Sequence, residues 1–319
     1  MSATHPSGTR AEDVRELRFI TYLAPSIPRD LFDELVDHSR RWLGYERATL
    51  QVETRVSGPE KGAGDPFSRN EADVGFVCSP SYLWLREREP PPVELLGGAP
   101  VYGDERNGGE PTYFCDVISH RDSAVESFTD LRGRSWAFND ACSLSGYYGL
   151  LQKLAEMGED GRYFGRVLHS GSHLDSIRMV AQGQADAATI DSNVLRMRKE
   201  KDPALGNLVR VIDSWGPFPV QPVVVRSGFP KGVKSALRDA FLNVERSTAL
   251  AGFGLKGFAP VTDKDYATER LALEACESIM LRQAPVSGPG VPPSGWDGAP
   301  KASARVATPS NTSNEEVSG

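Results

Sequence analysis

The chain reads as an α/β protein folded into two lobes, with a ligand cleft between them. Three observations predict this. Apolar strand-like runs alternate with helical patterns over ten to fifteen residues, which is the signature of βαβ units and a largely parallel sheet. The alternation restarts after about residue 109, as though a second unit begins there. A late apolar run, Gln221 to Arg226, then reads as a strand returning to the first unit. A chain that leaves one lobe, builds another and comes back crosses between them twice, which makes a two-stranded hinge.

The elements follow in order. Leu17 to Tyr22 alternates as a strand and ends at Ala24-Pro25, and a helix is predicted from about Arg29 to Leu43 with Leu31, Leu35, Val36 and Trp42 facing inward. Thr49 to Val56 is a second strand, and the Gly-, Pro- and charge-rich segment Ser57 to Asn70 a loop. Ala72 to Cys78 is a third strand; Ser79-Pro80 opens a helix, with Pro near the first turn. Val93 to Tyr102 is a fourth. In the second unit, Thr112 to Ser119, Arg134 to Phe138, Gly165 to His169, Ala185 to Ile190 and Leu208 to Ile212 are strands. Between them lie a short helix at Ser127 to Leu131, one carrying Tyr147, Leu150, Leu151 and Leu154 on one face, one at His173 to Gln182 striped by Leu174, Ile177 and Val180, and one at Ser192 to Glu200. Helices from Lys231 to Val244 and from Asp263 to about Leu281 complete the first unit. The expected divisions are therefore a flexible leader at 1–14, a discontinuous first lobe at 15–108 plus 219–283, a second lobe at 109–218, and a disordered Pro/Ser/Gly-rich tail at 284–319.

Composition narrows the function. A net charge of −7 over 319 residues and a pI near 5.4 argue against nucleic acid as a partner. They leave room for an anionic small ligand, because a local field can oppose the global sign. The four cysteines, Cys78, Cys115, Cys142 and Cys276, are far apart with no CxxC and no neighbouring His pair, so no metal or redox site is expected. The sequence contains no GxGxxG, GxxxxGK(S/T) or HExxH, and no cofactor is expected. No apolar run is long enough for membrane insertion. The opening residues have no apolar signal region, so the chain as written reads as cytoplasmic; a processed or trimmed chain would be periplasmic or extracytoplasmic.

Four strand-to-helix junctions carry polar residues: Ser79-Pro80-Ser81-Tyr82, Ser143-Leu144-Ser145-Gly146, Ser170-Gly171-Ser172-His173 and Asp191-Ser192-Asn193. Unpaired N–H groups and a partial positive charge make a helix start hospitable to oxyanions, and parallel sheets bind ligands at the carboxyl ends of their strands. Ser, Asp and Asn are equally the favoured caps of any helix, so capping alone also accounts for them. Gly146 would permit close approach of a ligand to the backbone. His173 is a possible donor to an anion, and Asp191 a possible acceptor from a ligand ammonium or hydroxyl. Tyr22, Tyr82, Trp84 and Trp215 stand near strand ends, where they could line a pocket or fill the core.

Taken together, several segments resemble the periplasmic phosphonate/phosphite-binding family of ABC-transporter receptors. They are Glu71 to Phe76, Asp116 to Ser123, Asp130 to Arg134, Phe138-Asn139-Asp140 running on to Ser143, Ser145 and Gly146, Gly171-Ser172-His173, and Gly183 to Asp191. The resemblance extends roughly from Phe19 to Val244. It implies a type II periplasmic-binding-protein fold that closes on its ligand like a clamshell. It also implies an anion grip at Ser143, the Leu144 N–H and Ser145, with His173 as a further donor, Asp191 as an acidic contact, and Tyr22 and Tyr82 as pocket aromatics. Ser79, Gly146 and Trp215 complete the candidate ligand-binding set. One departure stands out: the family often has Ser-Thr-Ser-Gly where this chain has Ser-Leu-Ser-Gly, so an apolar Leu144 is expected to face the site and remove one donor.

The leading expectation is a solute-binding protein that takes a small anionic ligand (phosphonate, phosphite, phosphate, sulfonate or carboxylate) without chemistry, with an ABC permease as partner if exported. The alternative is a cytosolic lyase- or dehydratase-type enzyme on the same fold, with His173 as catalytic base and Asp191 as its orienter. A cytosolic ligand sensor ranks third.

Overall fold

The computed structural model describes residues 16–244, 248–276, 279 and 281; the expected leader and nearly all of the expected tail lie outside the described residues. Two five-stranded sheets organise the chain. The first is built from β1 (Glu16–Thr21), β2 (Arg47–Val52), β3 (Val74–Phe76), β4 (Val93–Leu95) and β11 (Val223–Arg226), in the order β2-β1-β3-β11-β4. The second contains β6 (Thr112–His120), β7 (Ser135–Phe138), β8 (Arg166–His169), β9 (Ala187–Asp191) and β10 (Val209–Pro219), in the order β10-β6-β9-β7-β8. A separate antiparallel ribbon pairs β5 (Gly98–Tyr102) with β12 (Leu255–Pro260).

Both sheets are mixed rather than largely parallel. β1, β2 and β3 run parallel, as do β7, β8 and β9. The strands that lead into and out of the crossings, β6, β10 and β11, pair antiparallel with their neighbours. The reversal is a consequence of connectivity: a strand entering a sheet from the other lobe arrives at the opposite end from one fed by a crossover helix. The two crossings, Tyr102 to Thr112 and Pro219 to Val223, are tied side by side where the Val220 N–H donates to the Pro111 carbonyl at 2.9 Å. The expected lobe boundaries at residues 108/109 and 218/219 fall at the start of the first crossing's approach to β6 and inside the last residues of β10.

Helix α1 (Arg29–Leu43) packs its Leu31, Phe32, Leu35 and Val36 face on the first sheet, each apolar side chain contributing about 1.5–3 kcal/mol on full burial. Trp42 does not share that face; it is 49% exposed, and Phe32 and Ser39 are buried instead. The remaining helices are α2 (Ser79–Arg86), α3 (Gly149–Glu156), α4 (His173–Ala181), α5 (Ser192–Lys201), α6 (Pro203–Asn207), α7 (Lys231–Leu242), α8 (Thr248–Ala251) and α9 (Ala267–Cys276). The run expected as one strand from Val93 to Tyr102 breaks at Gly97, whose φ of +85° turns the chain out of the first sheet and into the ribbon. β10 is much longer than expected, and Trp215 lies within it.

Carboxylates, Asp73 buried and Asp186 half-buried, fasten the ends of the sheets remote from the β1–β3 and β7–β9 carboxyl termini. Asp73 accepts from Arg18 on β1 and from Arg226 on β11. Asp186 accepts from both the N–H and the hydroxyl of Ser135 at the start of β7, at 2.9 and 2.5 Å. The apolar core falls into two clusters, and Cys276 and Leu281 join the second, with Trp136, Leu150 and Val167. The C-terminal helix α9 packs on both α2 and α3 and so spans the lobes. No helix among the described residues is long and apolar enough to cross a membrane.

Candidate functional site: a hydroxyl-rich cleft between the sheets

The carboxyl ends of β1, β2 and β3 face those of β7, β8 and β9 across a cleft of ≈ 450 Å³, open solvent at its mouth included. From the first lobe come Tyr22 to Ile27 after β1, Thr54, Val56 and Ser57 after β2, and Cys78 after β3. From the second come Asn139, Asp140, Ser143 and Ser145 after β7, Gly171, Ser172 and His173 after β8, and Asp191 and Val194 at the end of β9. Gln221, in the second crossing, lies at the base. Three of the four polar junctions singled out in the sequence therefore meet at one place. The first, at Ser79, does not.

The junction after β7 begins with a π-helical turn, Leu144–Tyr148, that runs straight into α3. Wide turns of this kind occur often at functional sites. Ser143 caps it by accepting the Gly146 N–H at 3.1 Å. The Leu144 N–H, expected to grip an anion, instead donates to Cys78 Sγ of the first lobe at 3.2 Å. The Leu144 side chain is 1% exposed and packs in the core, so it does not face the cleft. Gly146 is needed for a different contact than expected: a Cβ there would stand 1.6 Å from Asn139 Oδ1, so the glycine admits a neighbouring side chain. That Asn139 oxygen is buried with no hydrogen-bond partner.

Ser145 Oγ and His173 Nε2 share a hydrogen bond of 2.9 Å. Burial lowers the His173 pKa to about 4, so the ring is neutral near pH 7. With the proton on Nε2 the ring donates to Ser145 and leaves the hydroxyl hydrogen for the cleft; with it on Nδ1, toward the Thr189 backbone, Ser145 donates to the ring and offers the cleft an acceptor. Asp191 caps α5, accepting from the N–H groups of Asn193 and Val194 at 2.8 and 3.3 Å, while its other oxygen accepts from Gln221 Nε2 at 2.6 Å. Burial raises its pKa to about 6 against those hydrogen bonds. Asp140 is also buried, and desolvation raises its pKa. It accepts from the Ser57 N–H and hydroxyl at 3.1 and 2.5 Å, from the Cys142 N–H at 2.8 Å and from Asn139 Nδ2 at 2.9 Å. The Ser57 bonds join the lobes, as does the His173 N–H donating to Ser26 Oγ at 3.2 Å. No Lys or Arg among the described residues lines the cleft.

Of the other sequence candidates, only Tyr22 reaches the cleft. Tyr22 lines the cleft, half-buried, its hydroxyl pKa pushed up to about 12 by burial and by the nearby acids Glu53 and Asp65. Tyr82 is buried in the first lobe, edge-on to Tyr266, and its hydroxyl donates to Asp263. Trp215 packs against Phe128, its indole N–H donating to Asp213 at 2.9 Å. Ser79 is buried beside Glu269 of α9. Ser79 and Tyr82 lie on α2, which packs against α9, and Trp215 packs against the second apolar cluster, so these three are away from the cleft. Sequence reading missed Ser26, Ser57, Asn139, Asp140 and Gln221, all in loops without periodicity. Asn139 and Asp140, inside a segment that carried the resemblance, were the legible ones.

Two α/β lobes, paired crossings and a polar cleft at the strand ends define the chain as a two-lobed binding protein of the clamshell type. Residues 18–266 match the family described as ABC transporter, phosphonate, periplasmic substrate-binding protein, and the chain belongs to that family. Among solved structures it is similar to a binding protein component of an ABC phosphonate transporter from Pseudomonas aeruginosa, with a TM-score of 0.68 and 20% identity over 81% of this chain and 85% of that one. PhnD1 from Prochlorococcus marinus, in complex with methylphosphonate, gives a TM-score of 0.64 at 15% identity over 82% and 97%. The periplasmic aliphatic sulphonate binding protein SsuA from Escherichia coli gives 0.52 at 14% identity over 87% and 95%. At such identities the structural likeness speaks for the fold.

Proposed function

We propose that this chain is the solute receptor of an ABC transporter and captures a small phosphonate-type oxyanion in the interlobe cleft. Ser143 and Ser145, at the start of the helix after β7, are the principal donors, with His173 holding Ser145 in place and Ser26 and Ser57 facing them. The observation that carries this reading is that hydroxyl cluster, gathered from both lobes around a helix start. The family's periplasmic setting supports a working protein outside the cytoplasmic membrane, with an ABC permease as partner.

Binding rests on hydroxyl and amide hydrogen bonds rather than on ion pairs. The enzyme alternative would need His173 oriented by Asp191; the ring is bonded instead to Ser145, and the carboxylate to α5 and Gln221. Thermal unfolding with methylphosphonate, phosphite, phosphate, methanesulfonate and acetate tests the proposal. A ligand at about 100 times its dissociation constant adds about 2.7 kcal/mol of stability. No stabilisation by any of the five would overturn it.

A further inference from the structure

The helix starts after β7 and after β8 are capped in the same way. Ser143 accepts the Gly146 N–H, and Ser172 the Asp175 N–H, each at 3.1 Å. The first N–H of each helical segment reaches across to the other lobe instead. That of Leu144 donates to Cys78 Sγ, and that of His173 to Ser26 Oγ, both at 3.2 Å. Cys78 follows β3 and Ser26 follows β1, and both line the cleft. Two side chains of the first lobe therefore hold two of the donors that a helix start offers to an anion.

Neither partner is a strong acceptor. Thiol sulfur accepts weakly, and burial pushes the Cys78 pKa well up, so the thiol stays neutral. The Ser26 hydroxyl is neutral too, and half-buried, so losing its bond to the N–H costs it little. An anionic oxygen in either place makes a charge-assisted bond roughly twice as strong as a neutral one. Asn139, on the same cleft wall, keeps a buried Oδ1 with no hydrogen-bond partner, so the wall has bonding capacity beyond what the protein itself uses.

We propose that Cys78 and Ser26 stand in for two ligand oxygens at the helix starts of Leu144 and His173, and that an anion binds by displacing them. This rests on the cleft being an oxyanion site. Affinity is then a difference between the bonds the anion makes and those the first lobe gives up, which makes residue 78 a determinant of affinity. The exchange also selects for charge. A neutral solute offers acceptors no better than the hydroxyl it would replace, and gains little. The third tie between the lobes, from Ser57 to Asp140, uses no helix-start N–H and is not part of the exchange.

Nuclear magnetic resonance reads the exchange directly in the unaltered protein, titrated in turn with methylphosphonate, phosphite, phosphate, methanesulfonate and acetate. With each anion that binds, the amide protons of Leu144 and His173 should both move downfield as a neutral acceptor gives way to a charged one. Calorimetry with the tightest of the five then measures the competition. Cys78→Ser sets a stronger acceptor against the Leu144 N–H, and the dissociation constant should rise about threefold to tenfold. Cys78→Ala removes the acceptor, and the constant should fall by a similar factor. Binding that leaves either amide proton unmoved would overturn the inference and leave the receptor reading standing. So would any result other than opposite changes in the two Cys78 variants; if either fails to fold, the amide protons of the unaltered protein decide. Failure of all five anions to bind would overturn both readings.

Discussion

Glu269 offers the sharpest test of how burial sets the chemistry of this chain. It sits on α9, 1% exposed, and neither carboxylate oxygen has a hydrogen bond of normal geometry. The Ser79 hydroxyl is its polar neighbour and offsets only part of the desolvation, so burial raises the Glu269 pKa from 4.5 to about 8. The sign follows from proton counting. Between pH 4.5 and 8 the unfolded chain releases this proton and the native state retains it, so stability is lost as pH rises through that window. At about 1.4 kcal/mol per pH unit, the loss is about 3 kcal/mol by pH 7. Glu269→Gln keeps the shape and removes the titration. The variant should therefore gain on the parent protein by about 3 kcal/mol between pH 4.5 and 7, a relative shift in urea midpoint of about 1 M. The difference isolates the one carboxyl, because Asp140, Asp191 and His173 titrate alike in both proteins. The other ionisable groups around it, Cys78, Tyr113, Cys115 and Tyr266, have pKa values pushed further up by burial and stay neutral throughout. Urea unfolding of both proteins at pH 4.5, 6, 7 and 8 reads the effect. Parallel pH profiles would refute the reasoning.

Three further outcomes are expected. Gly146→Ala should destabilise by about 1–3 kcal/mol in thermal or urea unfolding, since its Cβ would be forced to 1.6 Å from Asn139 Oδ1. Ser145→Ala should weaken methylphosphonate binding about tenfold or more by calorimetry, the loss of one hydrogen bond to a charged group, while leaving the fold intact by circular dichroism. Affinity for methanesulfonate, whose charge is constant over the range, should fall as pH rises through about 6, where Asp191 ionises, and Asp191→Asn should flatten that profile. His173, with its pKa near 4, and Asp140, already engaged by Ser57, face the same cleft and titrate in both proteins, so they do not account for the difference.

The fold was legible where periodicity and turn chemistry agree. α1 was readable to its ends because Pro28 precedes it, Gly44 closes it at φ +70°, and its apolar stripe holds the 3.6-residue period. The stripe misled only at Trp42, which falls beyond the last turn supported by the sheet. The mixed character of the sheets was not legible, because the reversed direction of β6 and β11 depends on each strand entering its sheet from the other lobe. The β5–β12 ribbon was missed for a related reason: β12 contains Gly257 at φ +146° and ends in Pro260, so it lacks the pattern of a core strand. At the site, capping residues were readable and their directions were not. Ser143, Ser145, His173 and Asp191 meet in the cleft because three parallel strands end side by side. Leu144 turns into the core because a π-helical turn redirects it.

The charge of the cleft constrains what its hydroxyls can hold. Among the described residues two carboxylates line it and no Lys or Arg does, so an incoming dianion meets repulsion that serine dipoles must overcome at short range. Asp140 is the lesser obstacle, because the Ser57 and Cys142 N–H groups, the Ser57 hydroxyl and the Asn139 amide already surround it with donors. Asp191 is the adjustable one. Its raised pKa means that near pH 6 a small change in surroundings decides its charge, and a bound anion favours the neutral carboxyl. Protonated, it turns from an acceptor that repels an oxyanion into a group with an O–H to donate. Binding of an anion therefore draws a proton into the site in this pH range, so calorimetric heats should vary with the ionisation enthalpy of the buffer. The same linkage favours singly charged heads over doubly charged ones. On the proposed function, selectivity is set as much by the acids that fence the cleft as by the serines that would hold the ligand.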